Sequence, residues 1–133
     1  MADAQRDFWP DIAVLELVST PLTLLKEQAT ALARKTKGLL EGRIHTTNRI
    51  GTTDRIGEFT HSFAIVAPTL DNYSYELFRV AHGVSMYPAR IEVSSSSRFE
   101  VKTEQEFVDA LKQVLSSPET MRVISALLAQ AKS

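Results

Sequence analysis

The chain has 133 residues, a formal net charge of -1 and no cysteine. That length suits one domain, residues 1–133, with a core large enough to hold without staples. Having no cysteine excludes thiol catalysis, disulfides and cysteine-ligated zinc. The charge argues against a general nucleic-acid or anionic-membrane surface.

Residues Met1 to Asp11 read as a loose tail, polar and acidic rather than basic then apolar, so a secretory signal is not expected. Phe8 and Trp9 are its large apolar groups, and Trp9 is expected to pack back on the domain as an anchor. Ile12 to Val18 is short and apolar. Periodicity does not separate helix from strand there, although a short helix is the favoured reading. Ser19-Thr20-Pro21 is a helix start, a hydroxyl cap followed by proline at the first helical position. Leu22, Leu25, Ala29, Leu32 and Leu39 then recur at three, four and seven, which predicts an amphipathic helix to about Leu40 with Gly42 as its stop. Arg34, Lys35 and Lys37 suit the negative end of its dipole.

TTNRIG at Thr46 to Gly51 is followed directly by TTDRIG at Thr52 to Gly57. The turn signal at Gly51 to Asp54 predicts a hairpin, with one strand from Arg43 to Ile50 and a second entering at Arg55. Arg49 and Arg55 beside threonines have the chemistry to bind phosphate, but a hairpin at the sheet edge accounts for them more simply.

Glu58 to Val93 holds the predicted heart of the sheet. Phe59, His61, Phe63 and Ile65 alternate with Thr60, Ser62 and Ala64, as in a strand with one buried face. Pro68 ends that strand and Asp71-Asn72 marks a turn. In Tyr73 to His82 regular alternation puts Tyr73, Tyr75 and Leu77 on one face and Phe78 and Val80 on the other. This predicts a central strand apolar on both sides, or one carrying a bulge. Tyr87 to Val93 is a third strand, with Pro88 favouring a sheet edge near its start. Ser94 to Ser97 is a loop or bulge, and Arg98 to Val101 a short edge strand. Thr103 and Glu106 form a capping box before the stripe Phe107, Leu111, Val114 and Leu115. Ser117 and Pro118 start a last helix carrying Val123, Ile124, Leu127 and Leu128. The fold class expected is α+β: an N-terminal helix, an antiparallel meander of four or five strands, and a C-terminal αα-hairpin packed on the sheet.

The residues that could carry chemistry are few. His61 falls among phenylalanines and His82 ends the next strand. In a regular meander they need not be close, and no two histidines have metal-ligand spacing. Glu76 and His82 share parity while Arg79 does not, so these three form no triad in a regular strand. There is no nucleophile elbow, no phosphate-cradling glycine pattern and no cofactor signature, so an enzyme is disfavoured and no cofactor or metal is expected. Tyr73, Tyr75 and Tyr87 are the best candidates for a recognition surface, since tyrosine offers contact area and a polar tip at low entropic cost.

The stretches PLTLLKEQATALARKTKGLL, FAIVAPTLDNYSYELFRVAHGVSMYPARI and TEQEFVDALKQVLSSPETMRVISALLAQ together resemble small, single-domain bacterial proteins of uncharacterised function. The resemblance implies a bacterial, stand-alone domain and nothing about chemistry. No apolar run approaches the about 20 residues of a membrane span, and a cytoplasmic protein is expected. The leading functional expectation is a non-enzymatic protein-interaction or regulatory module, using Tyr73, Tyr75, Tyr87, Arg49 and Arg55 toward a protein partner. The other sheet face or an edge needs cover from the Leu22 to Leu40 helix or from a second subunit, so self-association as a homodimer is the alternative to a protein partner. The alternative is a small-molecule binder or modest hydrolase with His61 or His82 in a pocket. A nucleic-acid role ranks third, on Arg43, Arg49 and Arg55.

Overall fold

The computed structural model describes residues 6–12, 19–48, 57–93 and 97–133. Helix α1 (Pro21–Lys35) is followed by strands β1 (Glu41–Asn48), β2 (Phe59–Ala67), β3 (Tyr73–His82), β4 (Ala89–Val93) and β5 (Ser97–Val101). Helices α2 (Glu104–Leu115) and α3 (Pro118–Ala131) close the described chain. The strands form one antiparallel sheet in the order β1-β2-β3-β4-β5, a meander in which every neighbour in sequence is a neighbour in space. The α+β architecture expected from the sequence is the one observed.

The helix starts follow from their caps. The Thr23 N–H donates to the Thr20 hydroxyl at 3.0 Å, and the Thr120 N–H to the Ser117 hydroxyl at 3.2 Å. At α2 the Glu106 N–H donates to Thr103 Oγ1 at 3.1 Å. The return bond differs from the expected box: Glu106 Oε1 accepts from the N–H of Lys102 at 2.8 Å, one residue before the cap.

Helix α1 stops earlier than the apolar spacing predicts. It ends at Lys35, and Lys37 and Gly38 turn the chain through positive φ (54° and 83°). Gly42 is therefore not its stop. Gly42 lies in β1 directly under α1, where a Cβ would meet the Ala29 backbone at 2.6 Å and the Phe63 ring at 2.9 Å. The glycine allows helix and sheet to approach closely.

A bulge in β3 settles which face each β3 residue occupies. Phe63 pairs with Phe78 and Ala64 with Glu76, so Leu77 is the extra residue without a partner. Beyond it the parity reverses: Tyr75 and Tyr73 pair with Ile65 and Ala67, on the same face as Phe78, Val80 and His82. The bulge reading of this strand holds, and the two-sided apolar reading does not. Leu77 itself joins the core with Leu25, Leu40, Phe63, Ile65, Phe78, Val80, Ile91, Phe107 and Leu127. The Phe63 and Phe78 rings stack there, 5.2 Å apart and 6° from parallel.

All three helices cover this one face, α1 over β1 and the α2–α3 hairpin over the other side. The opposite face carries Glu76, Arg79, Arg90, Glu92, Arg98 and Glu100, with Val66 and Ala81 buried on that side. Arg79 Nε meets Glu76 at 2.7 Å, and Arg90 bridges Glu92 at 3.0 Å and Glu58 at 3.4 Å. That face is largely charged and internally paired. The expected cover of this face by the Leu22 to Leu40 helix is corrected, since α1 lies on the same face as the α2–α3 hairpin.

Three smaller expectations are corrected. Tyr87 and Pro88 precede β4, which is paired on both sides and is not an edge. Trp9 is not packed back, being 75% exposed. β1 begins at Glu41 rather than Arg43. The expected strand residues Arg49, Ile50 and Arg55, and most of Ile12 to Val18, lie outside the described residues.

Candidate functional site

His61 and His82 sit on the helix-covered face near one end of the sheet, 3% and 7% exposed. They meet because His61 pairs with Val80 across β2 and β3, which makes His82 its diagonal neighbour. Their Nε2 atoms are 2.9 Å apart, so the expectation that the two histidines need not be close is overturned. Phe59, opposite His82 in the ladder, lies against the same ring at 5.6 Å.

The protons follow from the partners. His82 Nδ1 faces the carbonyl of Gly83 at 2.8 Å, and a carbonyl only accepts, so His82 Nδ1 carries a hydrogen. With both rings neutral, His82 Nε2 is then the acceptor and His61 Nε2 the donor. His61 Nδ1 accepts from the Thr46 hydroxyl at 2.9 Å. The result is a one-way chain: Thr46 hydroxyl to His61, His61 to His82, His82 to the Gly83 carbonyl. Every ring nitrogen is used. The space between the Nε2 atoms holds one proton, and a second would put two N–H groups nose to nose. Burial first, and the His82 ring second, hold the His61 imidazole down at about 4.

This geometry contains little for catalysis. No carboxylate bonds either ring, and among the described residues no group of three potential ligands could hold a metal ion. The β3 bulge also corrects the reading of Glu76, Arg79 and His82. Glu76 and Arg79 share the charged face and bond each other, while His82 is on the covered face. The expected shared parity of Glu76 and His82 is therefore corrected: Glu76 joins Arg79, and His82 faces away from both.

An open concavity lies further along the same face, between α1 and the α2–α3 hairpin. This groove has a volume of about 470 Å³. Phe63, Ile65 and Leu77 form its floor, Leu32 its α1 wall, and Leu115 and Ile124 its other wall. Lys35 and Lys112, each in the last turn of its helix, line it from α1 and α2. Among the described residues no aspartate or glutamate lines it. The apolar stripes of α1, α2 and α3 were legible in the sequence. That they leave a gap over Leu77 was not, because the gap depends on how far apart the helices are set.

The candidate recognition tyrosines separate. Tyr73 (49% exposed) and Tyr75 line a second groove of about 390 Å³ with Leu70 and the α3 residues Val123 and Ala126. Tyr87 lies at the far end of the sheet against Phe107, ring centroids 6.2 Å apart, with its hydroxyl buried and without a hydrogen bond. Burial, with a lesser contribution from Glu104, raises its phenol above the usual range. Arg49 and Arg55 lie outside the described residues.

Among the described residues no helix is long and apolar enough to cross a membrane. Comparison with known proteins found no matching family model, no matching curated protein and no matching solved structure.

Proposed function

We propose that the protein is a non-enzymatic binding module that takes the apolar part of a ligand into the groove between α1 and the α2–α3 hairpin. One observation carries this reading: an open concavity of about 470 Å³ is lined mainly by apolar side chains, with half-buried Leu32, Leu115 and Ile124 and the 45% exposed Met121 lying over the buried Phe63, Ile65 and Leu77. Volumes of roughly 300–1,000 Å³ with apolar linings are typical of small-molecule sites. The closed histidine chain supports the non-enzymatic half, since each of its nitrogens already has a partner and it offers a substrate no free base. The test is titration with a neutral fluorescent probe, N-phenylnaphthylamine. Saturable enhancement is expected, abolished by Ile124→Trp, which fills the groove from its wall, and kept by His82→Phe. An Ile124→Trp variant that folds and still binds the probe rejects the groove as the site.

A second reading, docking of a protein partner at Tyr73 and Tyr75, draws on the exposure of Tyr73 beside Leu70 and α3. Affinity capture from the native host separates the two. A stoichiometric partner lost in Tyr73→Ser and kept in Ile124→Trp belongs to the tyrosine groove. A partner lost only in Ile124→Trp belongs to the first.

A further inference from the structure

We propose that the groove's ligand is an amphiphile with an anionic head on an apolar body, a long-chain carboxylate being the simplest case. This rests on the groove being the binding site, as inferred above. The floor and most of the walls are apolar, so a free phosphate or other wholly polar anion has nothing to occupy there. The charged groups at the groove are Lys35 and Lys112, from two different helices, and both are exposed.

Each lysine also offsets the dipole of its own helix end, which accounts for one cation per helix. It does not account for two cations flanking one apolar opening that has no acidic side chain among the described residues of its lining. Neither lysine forms an ion pair among the described residues. On the opposite sheet face, by contrast, Arg79, Arg90 and Arg98 each lie against a glutamate. Other surface lysines are unpaired too. What sets these two apart is their place at an apolar opening, which gives an anion-headed amphiphile both of its requirements at once.

The experiment displaces N-phenylnaphthylamine with three amphiphiles of equal chain length: dodecanoate, dodecanol and dodecyltrimethylammonium. Dodecanoate is expected to displace best and the cation worst. Lys35→Gln and Lys112→Gln should each weaken dodecanoate about three- to fivefold, more at low salt, while leaving dodecanol unchanged. Both substitutions are on exposed helix positions, and circular dichroism checks that the fold is kept. If dodecanol displaces as well as dodecanoate and the lysine variants change nothing, the anion assignment is overturned and the apolar groove stands. Preferential binding of the cation overturns it equally. If the neutral probe itself never binds, the groove reading falls and takes this inference with it.

Discussion

At one end of the covered sheet face, His61 and His82 bring together the side chains best suited to proton chemistry, yet they are 3% and 7% exposed and fully hydrogen-bonded. Further along β2, Phe63 and Ile65 are as buried as the histidines, yet the apolar side chains around them, Leu32, Leu115, Ile124 and the 45% exposed Met121, line an open groove. In the first region three strands bring polar groups into mutual satisfaction, and a buried polar group that is satisfied has no call on a ligand. In the second, α1 and the α2–α3 hairpin, on the same sheet face, leave the apolar side chains of their facing walls, Leu32, Leu115 and Ile124, only half-buried. Residue type marks where chemistry is possible. Access and unmet partners mark where a ligand can gain anything by binding.

Phe63 belongs to both regions, since it neighbours His61 along the covered face and also floors the groove. Phe63→Ala removes a ring that is 2% exposed and stacked on Phe78, and is expected to cost about 3–5 kcal/mol of unfolding free energy. Urea denaturation at neutral and acid pH measures it. If the regions are independent, the loss is the same at both pH values. A loss that changes with pH shows that the groove floor and the histidine chain respond as one unit.

Acid tests the closed region through His61. The folded His61 value of about 4 lies below the ordinary 6.5, so between these values the unfolded chain takes up a proton that the folded one refuses. Stability from this group is therefore full above pH 6.5, falls as pH drops, and levels off near pH 4. The loss across that window is about 3 kcal/mol. His61→Phe should flatten this segment of the stability–pH curve whatever it does to stability at neutral pH. An unchanged slope in that variant assigns the acid sensitivity to other groups.

Gly42 tests the open region from below. Gly42→Ala places a methyl 2.6 Å from Ala29 and 2.9 Å from the Phe63 ring, so α1 must lift or the sheet must bend. A cost of about 1–3 kcal/mol is expected. Because α1 is one wall of the groove, binding of N-phenylnaphthylamine should change as well, while the acid slope set by His61 should not.

The contrast between these regions was only partly legible in the sequence. The helix caps at Thr20, Thr103 and Ser117 were readable, because a hydroxyl before a proline or an apolar stripe acts locally. The alternation in β2 was readable for the same reason. The β3 bulge was present only as one of two alternatives. A single unpaired residue, Leu77, reverses parity, so regular alternation put Tyr73 and Tyr75 on the wrong side relative to Phe78 and Glu76 on the wrong side relative to Arg79. The meeting of His61 and His82 depends on strand register and a diagonal contact, which no single-strand pattern contains. Gly42 looked like a helix stop because glycine serves both as a C-terminal cap and as a point of close approach.

The smallest effect is the most discriminating test of how the histidine chain is closed. Thr46 is exposed on the edge strand β1 while the ring it bonds is buried, so the chain has one end at the surface and the other at the Gly83 carbonyl. Thr46→Val keeps shape and β-branching but removes the donor to His61 Nδ1. A fully sealed acceptor left unpaired costs about 1–3 kcal/mol. Here water can reach the position Thr46 occupies and replace the lost donor, so the expected loss is under about 1 kcal/mol. The tautomer of His61, read by nitrogen NMR of the imidazole, should stay protonated at Nε2, because His82 Nε2 still needs its donor. Transfer of the proton to Nδ1 in this variant would show that the Thr46 hydroxyl, rather than the Gly83 carbonyl, sets the direction of the whole chain.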